Sequence, residues 1–216
     1  MNTRSPRSRG RQAGTAALYL ALAVSGCSSL LTKQSASSYL IVDSLEASTG
    51  REPDKLSGTL ASDVLTYVKK DDGSGKQVPV ATIFADNLVA SFSLAMKDTG
   101  TADSPNAPSS TNFITITRYH VRFVRSDGRN TEGVDVPYAF DGATTVTVSA
   151  TGAKATMTLV RVQSKSEAPL QALAGAFGPS ISTIAEVTFY GQDQAGRDVT
   201  VSGKISVNFA DWGDPA

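Results

Sequence analysis

The sequence predicts an all-β protein, an antiparallel β-sandwich of about eight or nine strands with one short helix. Three observations predict it. Apolar residues recur at every second position in several segments, the period of a strand with one buried face. Clusters of Gly, Asp, Asn and Pro separate these segments at hairpin distance. Only one segment carries helix-start and helix-stop residues in the right places.

Taken in order, the predicted strands are SSYLIVDSLEA (37–47), DVLTYVK (63–69), LVASFSLAM (88–96), TNFITITRYHVRFVRS (111–126), VDVPYAF (134–140), TTVTVSA (144–150), ATMTLVRVQ (155–163), IAEVTFYGQD (184–193) and VTVSGKISVNF (199–209). The last has the cleanest alternation. Val199, Val201, Ile205, Val207 and Phe209 share one face, and Thr200, Ser202, Lys204, Ser206 and Asn208 the other. In 88–96, Leu88, Ala90, Phe92, Leu94 and Met96 alternate with smaller residues. Turns are expected at DDGSG (71–75), SDG (126–128), DG (141–142) and DQAG (193–196), the last joining the final two strands as a hairpin. TGTADSPNAPSS (99–110) reads as a mobile loop. SEAPLQALAGAF (166–177) reads as the helix, with Ser166 as N-cap, Pro169 in the first turn and Gly178 as the stop.

The first 26 residues follow other rules. MNTRSPRSRGRQ carries four arginines and no acid, and AGTAALYLALAVSG follows it. A basic stretch before a short apolar run is an export signal, disordered or helical, and about 14 apolar residues fall short of the roughly 20 that span a bilayer. Val24-Ser25-Gly26-Cys27 then resembles the lipobox of bacterial lipoproteins, an aliphatic residue and two small ones before the only cysteine in the chain. The resemblance implies cleavage between Gly26 and Cys27 and acylation of Cys27, with membrane lipid as its partner. Several acyl chains make a stable anchor. Ser28, rather than Asp, follows the cysteine, which by the same resemblance favours the outer membrane of a Gram-negative cell envelope. The alternative is a plain secretory signal with an incidental cysteine. Domain organisation follows: signal 1–26, lipidated tether 27–38, sandwich 39–216.

From Asn112 onward the pattern resembles an immunoglobulin-like or fibronectin type III-like domain, mainly over 112–209. In that likeness Tyr119-His120-Val121-Arg122-Phe123 is central strand C, FYGQDQAGRDVTVSG the terminal F–G hairpin, and the helix the crossing between E and F. No Cys…Trp…Cys framework accompanies it, so an antibody-type domain is not implied.

Composition then excludes several functions. Without the signal, 16 basic residues face 20 acidic ones, a mildly acidic balance with no footprint for nucleic acid. A single histidine, His120, leaves no histidine pair for catalysis or metal binding, and lipidation removes the one thiol. No glycine-rich phosphate loop or nucleophile elbow occurs, so neither a cofactor nor a catalytic role is expected. Acidic turns such as Asp71-Asp72-Gly73 lack the regular spacing of a calcium loop.

Two binding candidates remain. Arg118, His120 and Arg122 form a basic stripe on one strand face, suited to an acidic protein or a glycan phosphate. The competing reading is a solvated face whose charges pair across strands, and the immunoglobulin-like resemblance, in which strand F neighbours strand C, implies Glu186 and Tyr190 beside the stripe. Trp212, the only tryptophan, lies just past the last strand, either as a plug over the end of the sandwich or as a partner contact with Phe209. The expected function is a membrane-anchored envelope lipoprotein, structural, adhesive or protein-binding without catalysis, whose partner is a protein or an envelope polysaccharide. The alternative is a ligand- or glycan-binding module of an envelope transport or degradation system.

Overall fold

The computed structural model describes residues 36–176 and 178–213. Twelve strands occur among them: β1 (Ser38–Ser48), β2 (Thr59–Asp63), β3 (Thr66–Asp71), β4 (Gln77–Thr82), β5 (Asp86–Met96), β6 (Gly100–Thr101), β7 (Ser104–Pro105), β8 (Ile114–Val124), β9 (Phe140–Val148), β10 (Ala153–Val160), β11 (Ile181–Asp193) and β12 (Asp198–Ala210). One short helix, α1 (Val162–Ser166), sits between β10 and β11. The all-β expectation stands, with a single short helix among the described residues.

Three strands in the order β1-β5-β10 form one sheet, and five in the order β2-β12-β11-β8-β9 form the other. All pairs within them are antiparallel except β12–β2, which is parallel, so the larger sheet is mixed. β3–β4 and β6–β7 are separate hairpins. The two main sheets meet through one apolar core. Phe92 of β5 abuts Phe189 of β11 edge-to-face with ring centroids 4.9 Å apart, and Phe123 of β8 meets Phe209 of β12 at 5.4 Å. Leu88, Ala90 and Phe92, and Val187 and Phe189, are all buried, as their alternation requires. Ala36, the first described residue, is buried, and Ser38 Oγ donates to the Asn112 carbonyl at 2.9 Å.

Several sequence expectations need correction. VDVPYAF (134–140) is no strand: Pro137 has no N–H to donate, and the N–H groups of Val134, Asp135 and Val136 turn back onto the Thr131 carbonyl. No two-residue face forms there: Val136 is 1% exposed, whereas Val134, which would share its face in a strand, is 68% exposed. Asp141-Gly142 is not a turn but lies inside β9. The Tyr119 ring packs against Gly142 so closely that a Cβ would fall 2.2 Å from its Cζ, which is why a glycine sits in mid-strand. The segment 63–69 divides at Val64-Leu65 into the end of β2 and the start of β3. The 99–110 loop contains the short β6–β7 hairpin.

The helix also moves. Ser166 ends α1 instead of capping a helix, and Pro169 opens a 3-10 turn over Leu170–Leu173. The chain leaves the helix at Glu167, whose backbone is extended, just ahead of the Ala168-Pro169 pair, which disfavours the helical region. Leu170 and Leu173, three apart, then fall on one side of a three-residue turn and are both buried.

Candidate functional site

The basic stripe depends on a bulge. Pairing of β8 with β11 shifts by one residue, Gly191 facing Ile116 and Tyr190 facing Arg118, which leaves Thr117 extra. Without it, Arg118 would share the buried face of Ile114 and Ile116. With it, Tyr119, Val121 and Phe123 turn inward, and Arg118, His120 and Arg122 all point outward.

Each member of the stripe has a neighbour across a strand. Arg118 Nη1 donates to Asp141 Oδ1 at 2.8 Å, and its guanidinium lies 4.0 Å from the Tyr190 ring centre. His120 Nδ1 is 3.4 Å from the same Asp141 oxygen. Arg122 Nη2 lies 3.4 Å from Glu186 Oε2, while Lys204 Nζ is 2.8 Å from Glu186 Oε1. The hydrogen bond from Lys204, and then the charges of Lys204 and Arg122, hold the Glu186 carboxyl below its ordinary range. Register pairs Glu186 with Arg122 and Tyr190 with Arg118, the placement expected of charges that pair across strands. The stripe is therefore part of a mixed-charge lattice. Hydroxyl pairs extend it on both sides, Thr115–Thr147 and Thr188–Ser202, each at 2.9 Å.

Trp212 is 41% exposed and lines an open cleft of about 240 Å3 with Thr49, Arg51, Glu52, Ala61 and Asp63. Its backbone N–H donates to Asp63 Oδ1 at 3.1 Å, while Thr66 donates its hydroxyl to Asp63 Oδ2 at 2.7 Å. It is thus a cleft wall held by its backbone. Phe209 is buried against Phe123 and takes no part in that surface.

Behind the cleft lies a charged group that sequence reasoning missed. Asp86, at the start of β5, and Lys165, in α1, are each 1% exposed and meet with Nζ–Oδ2 at 2.8 Å. Ser62 Oγ donates to the same Oδ2 at 2.6 Å, and the Gly50 N–H to Oδ1 at 3.3 Å. Burial pushes the Asp86 carboxyl up and the Lys165 amine down, each opposed by the other's charge. A signal was available: Asp86 has the parity of Leu88, Ala90 and Phe92, so the alternation itself directs an acid into the core, where it needs a partner.

The acidic turn at 71–75 caps the β3–β4 hairpin. Asp71 Oδ1 accepts the N–H groups of Gly73 and Gly75, and Asp72 Oδ1 that of Ser74. Among the described residues no group of three or more His, Cys, Asp or Glu could hold a metal ion. Gly26 and Cys27 lie outside the described residues. No family model, curated protein or solved structure matches the chain.

Proposed function

We propose that this chain is an exported lipoprotein, anchored through acylated Cys27 at the outer membrane, whose β-domain acts as a structural or adhesive module that binds a protein or envelope partner without chemistry of its own. The observation that carries this reading is Val24-Ser25-Gly26-Cys27 behind an arginine-rich start and a short apolar run. The residues that follow the cysteine, SSLLTKQSASS (28–38), are mostly small and polar, the composition of a tether.

The strand order supports an immunoglobulin-like domain. If β1, β5 and β10 are strands A, B and E, and β9, β8, β11 and β12 are C′, C, F and G, each sheet has the expected neighbours, and β2 is a second A segment paired parallel to G. α1 and the turn after it then cross from E to F. The outward face of the larger sheet, lined with paired charges and hydroxyls, supports recognition by complementary polar contacts spread over an area. The test is fractionation of cells expressing the wild type and Cys27→Ala. Retention of the wild type in membranes and release of the variant supports the reading; equal release of both overturns it.

The Trp212 cleft favours a second reading, a module for a small ligand or glycan. Loss of glycan binding on Trp212→Ala, with Arg118→Ala unaffected, would select it.

A further inference from the structure

The Asp86–Lys165 pair has an unusual setting. Both side chains are almost wholly buried, the amine is 2.8 Å from Oδ2, and two further donors grip the carboxyl. Taking both charges out of water is expensive, and their attraction offsets this only in part. Passing one proton along the 2.8 Å contact, from Nζ to Oδ2, leaves a neutral amine beside a neutral carboxylic acid. Burial favours those forms in each group separately. A neutral amine is a nucleophile, and the oxygen it contacts at 2.8 Å is bonded to the carboxyl carbon it would attack.

We propose that Lys165 and Asp86 condense into an amide between Nζ and Cγ, an internal covalent cross-link that ties α1 to the start of β5. The atoms balance without an outside reagent. Nζ attacks Cγ, and the electron pair of the carboxyl C=O moves onto Oδ1, where the Gly50 N–H faces it. A second proton leaves Nζ and reaches the Oδ2 hydroxyl, with the Ser62 hydroxyl, 2.6 Å from Oδ2, as its relay. The Cγ–Oδ2 bond breaks and water departs, while Oδ1 stays as the amide oxygen and Nζ keeps one hydrogen. The product carries no buried charge, so the desolvation penalty of the pair disappears. Gly50 and Ser62 act as positioning groups in this step.

A cross-link suits this chain. Its single cysteine cannot close a disulfide within the fold, and Asp86 and Lys165 lie far apart in sequence, so an amide between them constrains the unfolded chain over a long loop.

The experiment is a tryptic map of the purified full chain by tandem mass spectrometry. Trypsin cuts after Lys76, Lys97, Arg161, Lys165 and Arg197. The expected result is a branched species in which 77–97 is joined to 162–197, uncut after Lys165 and lighter by one water, about 18 Da. Ser62→Ala should accumulate it at least about tenfold more slowly after refolding, a kinetic effect that a purely structural serine would not produce. Linear 77–97 together with cleavage after Lys165 overturns the proposal. So does loss of water confined to Asp-Gly pairs such as 72–73 or 127–128, where backbone cyclisation gives the same mass change.

Discussion

Replacing Phe189 and its neighbour Tyr190 by alanine, one at a time, tests the two-faced larger sheet on which the stripe depends. Phe189 is fully buried and meets Phe92 edge-to-face at 4.9 Å and 88°. Truncating a buried phenylalanine costs about 3–5 kcal/mol, the edge-to-face contact accounting for roughly 0.5–1.5 of it. That is a large part of the ~5–15 kcal/mol of a typical domain. At about 2–4 °C per kcal/mol for a chain of this size, Tm should fall by roughly 6–20 °C. Tyr190, one residue on, points outward and holds Arg118 over its ring at 4.0 Å. Its loss should cost only about 0.5–1 kcal/mol. Urea unfolding followed by circular dichroism measures both, and an unchanged m value in each variant would confirm that stability alone has moved. Equal losses from the two substitutions, or less than ~1 kcal/mol from Phe189→Ala, would refute the face assignment. The outward placement of Arg118, His120 and Arg122 would fall with it, because a slip of one residue exchanges the faces.

Three further outcomes follow from the same geometry. A double-mutant cycle on Arg122 and Glu186 should return a coupling below about 1 kcal/mol that shrinks in high salt, since Arg122 is exposed and Glu186 only half-buried. Glu186 has a lowered folded-state pKa, so its stabilisation is present above the ordinary carboxylate range and is lost as pH falls through the lowered value; urea unfolding of Glu186→Gln across that acid range should lack this part of the pH dependence. Gly203→Val should destabilise by roughly 1–3 kcal/mol in thermal unfolding, because a Cβ there would lie 2.7 Å from Leu45 Cδ1 between the sheets, whereas Gly58→Ala meets no atom and should be near neutral.

Much of the fold was legible because its long strands each have one buried face. β5, β11 and β12 show that alternation without interruption, and the hairpin at 193–196 carries its own signal: Asp193 Oδ1 accepts the N–H groups of Ala195 and Arg197, while Gly196 takes a positive φ. β2 and β4 were not legible. β2 has five residues, TLASD, and gains its place by pairing with β12, which no local pattern records. β4 carries Pro79, which ordinarily argues against a strand but is tolerated in an isolated two-stranded hairpin. The Asp-Gly pair at 141–142 has the spelling of a turn, yet a tyrosine ring across the sheet decides its conformation. At the site, Glu186 and Tyr190 could be set beside the stripe from their parity and from the likeness that puts strand F next to strand C, whereas Asp141 could not, because Asp141-Gly142 has the spelling of a turn. Lys165 could not be placed, because its burial depends on where α1 packs.

The anchoring claim is tested most directly by the mass of the amino-terminal peptide of protein extracted from membranes. The account predicts a peptide that begins at Cys27 and carries the added mass of acyl chains, with Cys27→Ala yielding no such species and no membrane retention. A free, unmodified Cys27 thiol in a soluble protein would contradict it.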